Sequence, residues 1–339
     1  MLSTNDIKAI FRRMADLRVG VIGDFALDLY ASVDTQTSER SLETGLDVFW
    51  ACRPQASLGG AGNVVQNVVA LGVGQVRVVG CVGNDLFGRE MRHQFGQLGV
   101  DTRHLRTLTT DWDTCVYTKP MRGGAEANRI DLGTHNHLSD ELFEELMAGL
   151  ETNLTELDVL IINQQFPNPL LNEARAARLS DLLVRFPAVQ CVADMRQVGR
   201  RVPNTALKVN TDELAWLLHL DRPTAQPALD WCIRQGQRLR QQRNGPLVIT
   251  RGEAGILYVD DHETQAVGGL PLPGELDTVG AGDTVVAAFG ACRGAGATPA
   301  QALEVANLAA AVTVQKQHQT GTANLAEILS LHTTYFPHD

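Results

Sequence analysis

The sequence predicts an α/β fold with a mainly parallel central sheet, helices on both of its faces and a small β lid. Three observations carry this expectation. Short apolar runs alternate with helical patterns along the chain, an order that builds a parallel sheet. The runs are continuous, as in Val159-Leu160-Ile161-Ile162-Asn163, which suits strands covered on both faces. The composition is ordinary for a globular protein, with 44% apolar and 20% charged residues among 339, so a single domain over 1–339 is expected.

The elements follow in order. Arg18–Gly23 (RVGVIG) reads as a buried strand, 62–71 as a helix, 76–82 as a strand and 86–98 as a helix. Further strands are expected at 159–163, 189–194, 207–210 and 247–250, with helices at 169–186, 211–220 and 227–243. Thr298 caps a late helix that runs to about Lys316, with Pro299 at its first position and Gln301 completing a capping box. Two stretches break the alternation. Residues 30–57 are long, polar and weakly alternating, and 114–132 read as a hairpin. Together they are expected to form a small antiparallel lid that excludes water from a site.

Bulk properties exclude several classes. A net charge of −10 without a basic patch argues against nucleic acid as a partner. The six cysteines include no C-x-x-C pair and read as reduced thiols. The first 16 residues lack the apolar core of a signal peptide, and no apolar run reaches the length of about 18 needed to span a membrane. A cytoplasmic protein without a membrane partner is expected.

The strongest motif is Asp277-Thr278-Val279-Gly280-Ala281-Gly282-Asp283, ahead of a small-residue helical run. First-turn amides of a helix attract anions. A carboxylate beside such a cradle makes sense as a base that takes a proton from a hydroxyl while the amides hold a transferring phosphoryl group. The plainer alternative is a helix start with an ordinary acid on its first turn. Asp24 and Asp28 follow the first strand, where ligands bind in open α/β sheets. They suit polyol hydroxyls, or simply cap a turn. Gly59-Gly60-Ala61-Gly62-Asn63 is a glycine turn before a helix, explained as well by packing. Asn210 and Glu213 span a strand-to-helix turn and suit Mg²⁺ bound through water, or an Asn cap with a first-turn Glu. Thr250 and Gly252 lie in a strand–turn–strand facing a nucleotide.

Taken together, these segments resemble the ribokinase-like, PfkB-type carbohydrate kinases. The first family signature matches LGGAGNVVQNVVALG at 58–72 and the second matches DTVGAGD, with GDFALD, NTDE and TRGEAG in family order over about 18–323. The resemblance implies the three-layer ribokinase-like fold with a β lid. It also implies an ATP- and Mg²⁺-dependent kinase acting on a sugar or sugar phosphate. Asp283 would be the catalytic base, with Gly280, Ala281 and Gly282 as the anion hole. Asp28, Gly59, Gly60 and Asn63 match sugar-contacting positions, and Asp24 and Gln165 are candidates beside them. Asn210 and Glu213 match the pair that organises Mg²⁺. Thr250, Gly252, Asp277, Thr278 and Asn307 fall on the ATP side. The helix start is expected to keep Asp283 ionised at neutral pH. A homodimer through the lid follows by family analogy, and dependence on a monovalent cation is open.

GD-x-x-LD-x-Y at 23–30, the glycine signature, Asn128-Arg129-Ile130-Asp131 and Gly321-Thr322-Ala323 resemble the heptose-phosphate kinase branch. That branch carries a proline-rich segment where this chain has Ser41-Leu42-Glu43-Thr44-Gly45-Leu46-Asp47-Val48. It carries DY-x-KG where this chain has Asn163-Gln164-Gln165-Phe166-Pro167. An altered substrate pocket is therefore expected. Lys119, Arg122 and Arg129 are candidates for a phosphate already on the sugar, or are exposed lid charges. The rival expectations are a nucleoside or other small-alcohol kinase of the same fold, or a catalytically silent sugar-binding protein.

Overall fold

The computed structural model describes residues 2–34, 37, 39–316 and 321–337. Residues 35, 36 and 38 of the first expected lid segment lie outside the described residues.

In chain order the elements are α1 (Thr4–Met14), β1 (Arg18–Gly23), β2 (Phe25–Asp34), β3 (Trp50–Gly60), α2 (Ala61–Ala70), β4 (Gln75–Gly83), α3 (Leu86–Gln97) and β5 (Asp101–Leu108). Next come β6 (Cys115–Arg122), β7 (Ala125–Glu126), β8 (Ile130–Leu132), α4 (Asp140–Leu154), β9 (Val159–Gln164), α5 (Glu173–Leu183) and β10 (Gln190–Met195). The remainder is β11 (Ala206–Asn210), α6 (Thr211–Leu217), α7 (Leu229–Arg243), β12 (Leu247–Thr250), β13 (Ile256–Val259), β14 (Thr264–Val267), α8 (Ala281–Gly294), α9 (Pro299–Thr313) and α10 (Leu325–Tyr335).

The main sheet has the order β14-β13-β12-β11-β10-β9-β1-β4-β5. It is parallel from β12 to β5, and β13 and β14 close one edge as antiparallel strands. The continuous apolar runs have a direct cause. Val159 and Ile161 join the core that contains α1, α2, α8 and α9, whereas Leu160 and Ile162 join the core that contains α4 and α5. Each successive side chain of a strand points to the opposite face. A strand covered on both faces therefore needs an apolar residue at every position.

Helix limits follow capping chemistry. The Thr298 capping box forms as expected. α5 begins at Glu173 rather than 169, because the Asn172 side chain caps it by accepting the Arg175 N–H at 3.0 Å. α6 stops at Leu217, and His219 just beyond it is in the left-handed region at φ 56°.

The second sheet corrects one expectation. It is mixed rather than antiparallel, in the order β3-β2-β6-β7 with β8 also on β6. β2 and β6 run parallel. β2 starts at Phe25, one residue past β1, so Asp28 lies on the second sheet while Asp24 stands at the junction of the two.

Candidate active site

A cavity of about 960 Å³ lies where β10, β11 and β12 end, where α8 begins and where β2 and β6 approach them. Asp28, Gly60, Lys119, Arg129 and Gln165 line one end of it. Asn210, Glu213, Thr250, Gly252, Thr278 and Asn307 line the other, with Gly280, Ala281, Gly282 and Asp283 also in its wall.

Asp283 sits on the first turn of α8. Gly280 caps that helix at φ 79°, a conformation that strains any residue with a β-carbon. Asp277 does not line the cavity; its carboxylate accepts the Val279 N–H at 3.0 Å and shapes the turn. The Ala281 N–H turns back to the Thr278 carbonyl at 3.2 Å. The first-turn amides left for an anion are therefore those of Gly282 and Asp283. The Asp283 carboxylate is held at both oxygens, by Asn63 Nδ2 at 2.8 Å and by Gln165 Nε2 at 3.2 Å.

The charge state expected for Asp283 needs correction. Burial, and then the neighbouring Asp194 carboxylate, push its pKa up to about 7; Asn63, Lys208 and Gln165 oppose the rise. The helix start does not by itself keep this acid ionised at neutral pH, because removal from water acts more strongly than a partial dipole.

Two further placements differ from expectation. Asp24 is 1% exposed and does not line the cavity. Its carboxylate accepts backbone N–H groups of Gln165 (2.7 Å), Phe166 (3.0 Å) and Leu170 (2.8 Å), so it pins the loop after β9 instead of meeting a sugar. Burial raises its pKa to about 6 against those three donors. Asn63 is fully buried and touches Asp283 rather than the cavity.

Asp28 pairs with Lys119 Nζ at 2.8 Å, and both side chains are 6% exposed. Lys119 also donates to Tyr30 Oη at 3.1 Å. Burial raises the Asp28 pKa even though Lys119 opposes it. A β-carbon on Gly59 would stand 2.8 Å from Asp28 Oδ2, so Gly59 makes room for this carboxylate. Arg129 pairs with Asp131 at 2.6 Å and lies over the Tyr117 ring at 4.6 Å.

At the other end, Asn210 and Glu213 form a capping box: Asn210 Oδ1 accepts the Glu213 N–H and Glu213 Oε2 accepts the Asn210 N–H, both at 2.8 Å. Oε1 of Glu213 remains outside the box. Among the described residues no group of three or more His, Cys, Asp or Glu side chains is assembled for a metal. One carboxylate facing the cavity fits Mg²⁺, which is held through few protein ligands and keeps several waters. Asn307 donates to the Gly268 carbonyl at 3.0 Å, and Thr250 Oγ1 approaches the Val209 carbonyl at 3.5 Å.

One pair has no counterpart in the sequence expectations. Lys208 Nζ meets Asp194 Oδ2 at 2.9 Å, with both side chains buried. A β-carbon on Gly282 would lie 2.8 Å from that ammonium, so the glycine admits a cation beneath the helix start. Burial disfavours the Lys208 charge, but Asp194, Glu213 and Asp283 outweigh it and raise the pKa. Lys208 stands beside Asn210 in sequence, yet nothing local shows that Asp194 on another strand faces it.

The doubly covered parallel sheet has a cavity at its carboxyl edge, and an acid on a glycine-led helix stands in the wall of that cavity. The chain belongs to the pfkB family of carbohydrate kinases, whose sequence model matches residues 20–325. It is similar to the bifunctional protein HldE of Trichlorobacter lovleyi, 29% identical over 96% of this chain and 64% of that protein. HldE of Magnetococcus marinus is 31% identical over 87% of this chain and 60% of its own length. The chain thus spans somewhat under two thirds of these relatives. Among solved structures, Escherichia coli phosphofructokinase-2 in complex with potassium superposes with a TM-score of 0.75 at 17% identity, covering 94% of this chain and 99% of that one. Arabidopsis thaliana ribokinase complexed with ribose and ATP gives 0.73 at 17% identity, covering 93% and 98%. Among the described residues no helix is long and apolar enough to cross a membrane.

Proposed function

We propose that this kinase transfers the terminal phosphoryl group of ATP to a hydroxyl of a sugar or sugar phosphate, with Asp283 as the base. The observation that carries the reading is the aim of Asp283: an acid with a pKa near 7, held by two side-chain amides, at the start of a helix and in the wall of a two-ended cavity. The acceptor end takes the polyol, with Asp28, Lys119, Arg129 and Gln165 as its polar groups. The nucleotide end takes ATP along Thr250, Gly252, Thr278 and Asn307. The attacking hydroxyl replaces an amide donor on Asp283, gives its proton to the carboxylate and forms the new O–P bond as the bond to the β-phosphate oxygen breaks. The transition state of such a transfer is loose, so positioning and charge neutralisation do most of the work. The Gly282 and Asp283 amides, with Lys208 beneath them, face the negative charge of the moving group. Glu213 would hold Mg²⁺, which would supply neutralisation of the ATP phosphates. The second sheet acts as a lid of the single domain. Its exposed Trp50 and Ile130, with Phe49 just ahead of β3, support pairing of two copies through it. The resemblance of 23–30, the glycine signature and 128–131 to the heptose-phosphate kinase branch supports a phosphorylated heptose as the first acceptor to assay.

The test is ADP release from Mg·ATP across a panel of sugars and sugar phosphates, including a heptose phosphate and fructose 6-phosphate. For an active acceptor, Asp283→Asn should lose about 10³-fold in kcat, within the range for a positioned base, while ATP binding survives. Near-normal turnover by that variant would remove Asp283 from the role. Sugar binding without ADP release by the native protein would favour the silent alternative.

A further inference from the structure

Behind Asp283 and the Asn63 amide that holds it lie buried polar side chains, Asn67 and Thr284, that the proposed reaction does not use. Asn67 on α2 is 1% exposed, Asn63 one turn earlier is 0%, and Thr284 on α8 is 1%. Their polarity can be read from one end. Asn67 Nδ2 faces two backbone carbonyls, Asn63 O at 2.9 Å and Gly321 O at 3.4 Å. A backbone carbonyl only accepts, so the nitrogen of the Asn67 amide must lie on that side. Its oxygen then faces the Thr284 hydroxyl at 3.0 Å, which shares its one proton between that oxygen and the Gly280 carbonyl at 3.2 Å. The same Asn67 nitrogen stands 3.0 Å from Asn63 Oδ1. Gln66 Nε2, on a half-buried side chain, reaches that oxygen at 2.7 Å. With its oxygen so engaged, Asn63 can present only its nitrogen to Asp283, at 2.8 Å.

We propose that Asn67, supported by Thr284, is a positioning residue for Asp283: it fixes the side-chain amide of Asn63 so that a donor, not an acceptor, faces the carboxylate. The relay joins the two helices that carry the glycine motifs, α2 and α8. Reversing the Asn63 amide would set a carbonyl oxygen against an acidic oxygen and favour the protonated acid. Asn67 thereby keeps Asp283 able to accept a proton near neutral pH. The inference rests on the kinase reading for its purpose, but its geometry and its test do not need turnover.

The experiment is a pH titration of Asp283 by carbon NMR in the ligand-free full chain with labelled aspartate carboxyls, the signal being assigned by its absence in Asp283→Asn. In Asn67→Leu, which keeps shape and removes the polar atoms, the midpoint should rise by about one pH unit, a roughly tenfold loss of ionised acid below the midpoint. Thr284→Val should raise it by less, and Thr284→Ser should restore it. In the Asn63→Ala background, adding Asn67→Leu should move the midpoint no further, because Asn67 acts through Asn63. A folded Asn67→Leu with the native midpoint overturns the proposal, as does a full additional shift in the double variant. If Asn67→Leu does not fold, Thr284→Val decides: an unmoved midpoint overturns the proposal. Failure of the kinase reading would show separately, as absence of ADP release from a protein whose Asp283 still titrates as described.

Discussion

Removing the charge of Asp283 should stabilise the protein while it cuts turnover, and the gain should depend on pH. The native carboxyl has a pKa of about 7 against 3.8 for a free aspartate side chain. A folded-state pKa raised above the unfolded one means that folding favours the neutral acid. Its contribution is fully present below the unfolded value near 3.8 and is lost as pH climbs through 7. The full difference is about 4 kcal/mol at alkaline pH, at roughly 1.4 kcal/mol per unit. About 2.5 kcal/mol of it accrues between pH 5 and pH 8. Asp283 is only partly buried in the cavity wall, so water reaching it brings that part to about 1–2 kcal/mol. Asp283→Asn is uncharged throughout. Urea unfolding of native protein and variant should therefore show a gap in favour of the variant that widens by about 1–2 kcal/mol from pH 5 to pH 8. A gap of equal size at both pH values, or a native protein that gains on the variant as pH rises, would refute the argument that this carboxylate is held against its preference for water.

Three other substitutions separate roles that the geometry combines. Glu213→Gln keeps the capping box, which accepts Gln at that position, but removes the charge; α6 and the melting temperature should hold while the Mg²⁺ concentration for half-maximal rate rises about tenfold, about 1.4 kcal/mol of lost attraction. Lys119→Met leaves the Asp28 carboxylate buried and unpaired and should cost about 3–5 kcal/mol in urea unfolding, most of it recovered by adding Asp28→Asn. Asp24→Ala strips three backbone N–H groups of their acceptor; it should cost about 3 kcal/mol at pH 8 and raise KM for the acceptor more than KM for ATP, because the released loop carries Gln165.

The central sheet was legible because its strands must be apolar at every position, a constraint that leaves a mark in any short window. Edge strands carry no such mark: β5 reads Asp-Thr-Arg-His-Leu-Arg-Thr-Leu, with Leu105 alone buried, and resembles a polar loop. β14 alternates between exposed and half-buried positions over four residues and carries no such mark either, whereas β13 is the strand that follows the glycine turn of the expected strand–turn–strand. The expectations also pass over 140–154, although Ser139 caps that helix and Phe143, Leu146, Met147 and Leu150 recur at helical spacing on its buried side. In that region the signal is present in the sequence, as it is not for β5.

Site residues divide along the same physical line. Glycine turns, and the acid that follows one, announce themselves locally, because the backbone conformation they need is rare. What the acids do is decided by partners distant in sequence. Asp24 and Asp28 stand four residues apart and look interchangeable. The first is taken up by amides of a loop that follows β9, and the second by a lysine on β6. Asp283 shows the same dependence in its charge: its place on a helix argues for an ionised acid, whereas Asp194 and the surrounding burial argue for one poised near neutrality. A base must bind a proton in one half of a catalytic cycle and release it in the other. An environment that leaves both forms accessible near pH 7 serves that cycle better than the firmly ionised carboxylate a helix start alone would make.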